Sequence, residues 1–289
     1  MSIIEARELS LSYSAGTPME VRALDGCSFS LEKGEVMCVI GHTGSGKSTL
    51  VQLLNGLLKP TSGTVYFDGR DIFADKKLLR EVRFNVGLVF QYPEHQLFEE
   101  TVYKDIAFGP KNKGLSGDEL DRAIRSAAEF AGLDSSLLDK SPFDLSGGEK
   151  RRAAIAGVMA MQPRVLILDE PTAGLDPMGR SRMLDRIMDY RDKTGSSIVL
   201  VSHTMEDVAR CADRVLVLSH GKVQKCASPA QVFGDAAMLE ASGLRVPEIT
   251  QVFVELNKLG VPVDASVHTV DKGVAEILRL FGKAGERDA

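Results

Sequence analysis

Residues 41 to 49 read GHTGSGKST and fit the spacing GxxxxGK[ST] at Gly41, Gly46, Lys47 and Ser48. The stretch stands between an apolar run, EVMCVI, and a helical pattern, LVQLLNGLLKP, which is the strand-to-helix setting this spacing requires. Glycines let the backbone wrap closely enough for the amides of Gly41, His42, Thr43, Gly44, Ser45, Gly46 and Thr49 to face the β- and γ-phosphates of a nucleotide. Lys47 adds a mobile positive charge, and the Ser48 hydroxyl is a ligand for Mg²⁺.

RVLILDEPT, residues 164 to 172, ends an apolar strand in two acids. A carboxylate at the carboxyl end of a parallel strand lies where open α/β sheets bind nucleotides, so Asp169 reaches the Mg²⁺ shell. Glu170 then orients and deprotonates an attacking water. Paired with the loop at 41 to 49, this acidic end points to an ATPase. DLSGGEKRRAAIAG, residues 144 to 157, adds a second anion-directed element. Ser146 and Glu149 have capping-box spacing, and Gly147 and Gly148 bare the first amides of the helix they start. Lys150, Arg151 and Arg152 read as a solvated charge cluster on that helix.

VFQYPEHQLF, residues 89 to 98, poses a different problem: an apolar run ends in Gln91, and Tyr92-Pro93 bends into a segment closed by Leu97 and Phe98. Its apolar side chains either pack under neighbouring helices or form a docking surface.

These residues need a frame. IIEARELSLSY, CSFSLEKGE and GTVYFDG alternate apolar and polar residues, as antiparallel strands with one wet face do. EVMCVI, RVLILDE and SSIVLVSH are denser apolar runs, suited to strands covered on both faces. MLDRIMDYRDK forms a crossover helix between the last two, and RVLVLSHGKV a terminal hairpin. The expected fold is α/β, with a helical insert at about 92–160. Beyond Ser228-Pro229 the chain turns helical. Ile249, Val252, Phe253 and Leu256 form one apolar stripe, and Val270, Val274, Ile277, Leu278 and Phe281 a second, serving as core or interface.

At 289 residues the chain has room for one large domain and an appendage. A net charge of −5 provides no global basic field for nucleic acid. Four cysteines, Cys27, Cys38, Cys211 and Cys226, fall in no CxxC pair, which argues against disulfides or a thiolate metal site. The acidic start, MSIIEARELS, is unlike a secretory leader, and no apolar run reaches the ~18 residues that span a bilayer.

In order and spacing, the motifs over roughly residues 1–230 resemble the nucleotide-binding subunits of ATP-binding-cassette (ABC) transporters, in which LSGGE is the signature. The resemblance implies a P-loop ABC fold: a mixed sheet core, an antiparallel β subdomain and a helical subdomain. It further implies that Tyr13 stacks on adenine, that Gln91 contacts the metal or water, and that His203 contacts the γ-phosphate. Asp176 belongs to the loop after the acidic pair. Two subunits would associate head to tail, with Gly41 to Ser48 of one facing Ser146 to Gly148 of the other across ATP.

Within this class, GTPMEVRALDGCSF, QLLNGLLKPTSGTV and VFQYPEHQLFEETVYKDIAFGPKNKGLS are similar to the ATPases of energy-coupling-factor (ECF) transporters, which import vitamins and transition metals. They resemble the second of that system's two paired ATPases. The resemblance implies a paralogous ATPase partner, or a second copy. It also implies a transmembrane scaffold docking near Tyr92, Pro93, Leu97 and Phe98, and a membrane substrate-capture protein. The subunit would lie peripherally on the cytoplasmic face of the cell membrane, and residues 231–289 would help dimerisation. An ATPase of another ABC importer or exporter, or a soluble ABC protein acting on nucleic acid or ribosomes, is the alternative.

Overall fold

A computed structural model describes residues 1–285. The last four residues of the 231–289 region lie outside the described residues. In chain order the elements are β1 (Ser2–Tyr13), β2 (Val21–Glu32), β3 (Val36–Ile40), α1 (Lys47–Leu54), β4 (Ser62–Phe67), β5 (Arg70–Asp71), α2 (Lys76–Asn85) and β6 (Val86–Val89). A 3₁₀ turn at Pro93–Gln96 precedes α3 (Val102–Lys113), α4 (Gly117–Ala131) and α5 (Gly147–Met159). Then come β7 (Val165–Asp169), α6 (Pro177–Thr194), β8 (Ser197–Val201), α7 (Met205–Cys211), β9 (Arg214–Ser219) and β10 (Lys222–Ala227). Four helices follow: α8 (Pro229–Phe233), α9 (Ala236–Ala241), α10 (Glu248–Lys258) and α11 (Val270–Gly285).

A six-stranded sheet, ordered β10-β9-β3-β8-β7-β6, forms the centre. Its strands pair in parallel except for the β9–β10 hairpin. The two-residue period of the dense apolar strands sends alternate side chains into two cores. Val36, Cys38 and Ile40 face the helical side, while Met37 and Val39 face the side covered by α1 and the antiparallel sheet β2-β1-β4-β5. Strands β7, β8 and β9 split in the same way. This is why these runs carry no polar phase: neither face is wet.

Strand direction brings the chemistry together. The carboxyl ends of β3, β6, β7 and β8 lie side by side and lead into the loop at 41–46, Gln91, Glu170 and His203 respectively. A ligand site at the carboxyl edge of a parallel sheet follows from that alignment.

The C-terminal segment does not detach at residue 230. Val232, Phe233 and Leu239 lie in the helical-side core, so α8 and α9 belong to the main body. Beyond them, Phe253, Val263 and Val267 form a small satellite core on which Ile249, Leu256 and Ile277 pack. The other members of the two apolar stripes, Val252, Val270, Val274, Leu278 and Phe281, are exposed. Among the described residues no helix is long and apolar enough to cross a membrane. All four cysteines are free thiols.

Candidate functional site

The loop at 41–46 is held open by close packing rather than by side chains. A Cβ on Gly41 would meet the Leu218 carbonyl oxygen at 2.2 Å, and one on Gly46, whose φ is +104°, would meet the Ala23 carbonyl oxygen at 2.5 Å. Gly46 is also the N-cap of α1 and supplies no side-chain cap. The amides of the first turn therefore remain available to an anion, with the helix dipole adding positive potential. Nζ of Lys47 donates to the carbonyls of Gly41 (2.8 Å) and His42 (3.1 Å). Burial pushes the lysine's pKa below its ordinary value, and the nearby Glu170 and Asp169 carboxylates oppose that shift. A desolvated cation resting on carbonyls is ready to exchange them for phosphate oxygens.

A pocket of about 490 Å³ opens over this loop, walled by Tyr13, Thr43, Gly44, Gly46, Lys47, Ser48, Thr49, Gln91, Glu170 and His203. Gly41, His42 and Ser45 stand behind it. Ser45 is fully buried, and the His42 ring turns toward His220, with ring centroids 4.7 Å apart. These three residues shape the loop without lining the pocket. Tyr13 is half-exposed at the rim, and its phenol oxygen lies 3.1 Å from Thr49 Oγ1, which pins the ring beside the start of α1. Sequence reasoning missed the rest of the wall, Val21, Arg22 and Ala23. The signal was the β1–β2 hairpin, whose register sets Val21 opposite Tyr13.

Glu170 sits just past β7 with a φ of +52°, in the left-handed region that a residue with a side chain rarely adopts. Its amide donates to the Val201 carbonyl at 3.1 Å, fixing it against the end of β8. The carboxylate is gripped from both sides. Its Oε1 lies 2.6 Å from His203 Nε2, and its Oε2 accepts from Gln91 Nε2 at 2.9 Å. A carboxylate so placed can take a proton from a water, and its two partners bracket the position that the water would occupy.

Asp169 is buried, and burial raises its pKa, offset in part by a hydrogen bond from Ser48. Ser48 and Asp169 together offer hard oxygen donors, the chemistry that suits Mg²⁺. Among the described residues no cluster of three or more His, Cys, Asp or Glu side chains could hold a metal alone.

The signature turn lies apart from this pocket. Ser146 caps α5 with a complete capping box: its amide donates to Glu149 Oε2 (2.8 Å), and its Oγ accepts from the Glu149 amide (3.4 Å). Ser146 and Gly147 are exposed, and none of residues 146–148 lines the nucleotide pocket. Asp176 is exposed too, and its Oδ1 accepts from the Gly179 amide (2.5 Å) to cap α6. The expected solvated cluster at 150–152 needs correction, because Arg151 is buried and ion-paired to Glu94.

A glycine-wrapped strand-to-helix loop, an acidic strand end and a separate signature turn define a P-loop ATPase of the ABC type. The ABC transporter family model matches residues 24–173. The energy-coupling factor transporter ATP-binding protein EcfA2 of Caldanaerobacter subterraneus subsp. tengcongensis is 52% identical over 278 residues, covering 96% of this chain and 97% of that protein. EcfA2 of Clostridium tetani is 50% identical, with coverages of 96% and 97%. Among solved structures, CbiO1 of Clostridium perfringens, described as part of the ABC transporter complex CbiONQ, matches with a TM-score of 0.73 and 39% identity. That match covers 90% of this chain and 97% of CbiO1. The dimeric ABC cassette MJ0796 matches with a TM-score of 0.71 and 28% identity over 78% of this chain and 98% of its own. The chain belongs to the ABC transporter ATP-binding family, and within it to the energy-coupling factor transporter ATP-binding proteins.

Proposed function

We propose that this chain binds and hydrolyses ATP to drive an ECF-type importer of vitamins or transition-metal ions, as a peripheral subunit on the cytoplasmic face of the membrane. The observation that carries the catalytic reading is Glu170 held between Gln91 and His203 at the mouth of the Lys47 pocket.

In the resting chain the carboxylate of Glu170 is latched by its two neighbours. An arriving γ-phosphate competes for His203 Nε2, because a phosphate oxygen is as good an acceptor as the carboxylate. Release of that contact leaves Glu170 free to orient water in line with the γ-phosphorus and accept its proton. Lys47 and the amides of residues 43–49 hold the phosphates, and Tyr13 stacks on adenine. Ser48, Asp169 and Gln91 would hold Mg²⁺, which supplies charge neutralisation at the β- and γ-oxygens.

The signature residues Ser146, Gly147 and Gly148 lie outside the chain's own pocket, which supports their acting on nucleotide held by a partner cassette. Asp176, exposed at the start of α6, would contribute to the same facing surface. The partner is a paralogous ATPase or a second copy, and the exposed apolar residues of α10 and α11 are suited to help hold the pair together. The transmembrane scaffold would dock on a cleft of about 600 Å³ lined by Arg83, Leu97, Phe98, Phe108 and Met161; of the expected docking residues outside the cleft, Tyr92 is exposed and Pro93 is buried under the turn it starts. A substrate-capture membrane protein would complete the transporter.

The test is the concentration dependence of hydrolysis by the full-length chain with its ATPase partner. Turnover per cassette should rise with concentration until the dimer saturates. A strictly monomeric preparation that hydrolyses ATP at the saturated rate refutes the composite site. Proteins that co-purify in detergent identify the scaffold.

A further inference from the structure

Arg151 lies one turn into α5 from the signature serine and is only 7% exposed. It has no acid on its own helix as a partner. Its Nε and Nη2 both face the Glu94 carboxylate at 3.4 Å, in a forked arrangement, and its Nη1 donates to the Ala173 carbonyl. Each partner lies on a loop that carries a site residue. Glu94 is in the 3₁₀ turn three residues after Gln91, beyond a left-handed kink at Tyr92 (φ +56°). Ala173 closes the turn after β7, its amide donating to the Glu170 carbonyl at 3.1 Å.

We propose that Arg151 is a positioning residue that binds the docking loop, the signature helix and the Glu170 turn into one mechanical unit. The proposal deepens the ABC half-site reading and rests on it. A buried guanidinium needs its acceptors, since stranding it or its carboxylate is strongly unfavourable. The three segments therefore move together or not at all. A push on the docking loop from outside displaces Glu94. Through the fork it reaches Ser146 one turn away, and through the Ala173 carbonyl it reaches the backbone of Glu170. The front pocket and the signature turn, which share no wall, are thus coupled through one side chain. Arginine suits this task because its rigid fork serves two acceptors at once, whereas an ammonium has no such fixed geometry.

The test uses the full-length chain with its ATPase partner and the variants Arg151→Met, Arg151→Lys, Glu94→Gln and the Met/Gln double. Hydrogen exchange of nucleotide-free protein is followed at residues 92–99, 145–150 and 171–176. Arg151→Met should speed exchange by about 10-fold in all three segments together. It should also lower kcat by about 10-fold or more while KM for ATP stays within about 3-fold. The double variant should be no worse than Arg151→Met, and Arg151→Lys should restore at most one loop. Glu94→Gln keeps the bond to Ala173 and serves if Arg151→Met does not fold. It should loosen 92–99 and leave 145–150 and 171–176 protected. Exchange confined to α5, a KM-only defect, or multiplicative single effects would overturn the coupling. Because exchange is read without nucleotide, a wild-type chain that fails to bind ATP would remove the site reading while leaving the exchange pattern to decide Arg151.

Discussion

Replacing Glu170 by glutamine separates chemistry from architecture at this site. Two nitrogens converge on the carboxylate: Gln91 Nε2 donates to it at 2.9 Å, and His203 Nε2 lies 2.6 Å from it. A glutamine at 170 offers one acceptor oxygen and one NH₂, so one of the two contacts becomes donor against donor. Gln91 can relieve this by turning its own amide to present oxygen, since its two ends differ little in shape. Loss of charge weakens the His203 contact, and the fold should lose no more than about 1–2 kcal/mol. The chemical step loses its base, an effect of about 10² to 10⁴ in rate, or roughly 3 to 5 kcal/mol of barrier. The phosphate loop is untouched, so ATP should bind within about 3-fold of the wild-type Kd. Single-turnover hydrolysis in the assembled complex and nucleotide binding measured by fluorescence check the two halves. A variant that keeps more than about a tenth of wild-type turnover at saturating ATP refutes Glu170 as the base.

Other perturbations probe the frame. Gly46→Ala places a methyl 2.5 Å from the Ala23 carbonyl oxygen at a φ of +104°, and should cost about 1–3 kcal/mol in stability and more than 10-fold in ATP affinity, read by thermal unfolding and titration. Unchanged affinity would mean that the loop accommodates a side chain. The Phe98 and Phe108 rings meet edge to face with centroids 5.1 Å apart, both exposed, so replacing both by serine should leave the unfolding midpoint within a few degrees while detergent co-purification of the scaffold is lost. Retained assembly would move the docking surface elsewhere. Burial lowers the Lys47 pKa below 10.5, so between the lowered value and 10.5 the unfolded chain binds more protons than the folded one. Stability of the ligand-free protein, set by Lys47 alone, should therefore rise with pH across that window. Phosphate favours the ammonium, so nucleotide binding there should take up a proton and weaken with pH by up to about 10-fold per unit. Calorimetry in buffers of different ionisation heat measures that uptake, and its absence would refute a buried, phosphate-directed Lys47.

Much of the site could be read from the sequence because its parts are local. The turn at 41–49 and the acidic end of β7 each carry their chemistry within a few residues of a strand end, and dense apolar runs mark strands covered on both faces. Gln91 and His203 were different. Each is a single polar residue after a strand, and only strand order, β3-β8-β7-β6, sets them around Glu170. Val21 to Ala23 were missed because their place depends on hairpin register, and β1 and β2 pair with several register shifts. Arg151 was misread because a charged triplet looks solvated. It stands in line with Ile155 and Met159 at four-residue steps, on the buried stripe of α5. The C-terminal stripes divided for a similar reason: α10 and α11 share a core too small to cover both apolar faces.

The two halves of the site differ in how far each is complete. The phosphate loop presents uncapped amides and a lysine resting on carbonyls, so a nucleotide meets groups in need of partners. The signature helix does not wait in that way, because the Glu149 carboxylate already accepts from the Ser146 amide and hydroxyl at the helix start. That internal anion occupies part of the positive end of α5. In the proposed head-to-tail pair, a phosphate held by the facing subunit would have to compete with it. On that reading the front half would gain strongly from ATP and the signature half only weakly, so the chain alone should grip nucleotide well while dimer closure stays near balance. A closure near balance is one that the loss of a single phosphate can reverse, which is what a reversible transport stroke requires.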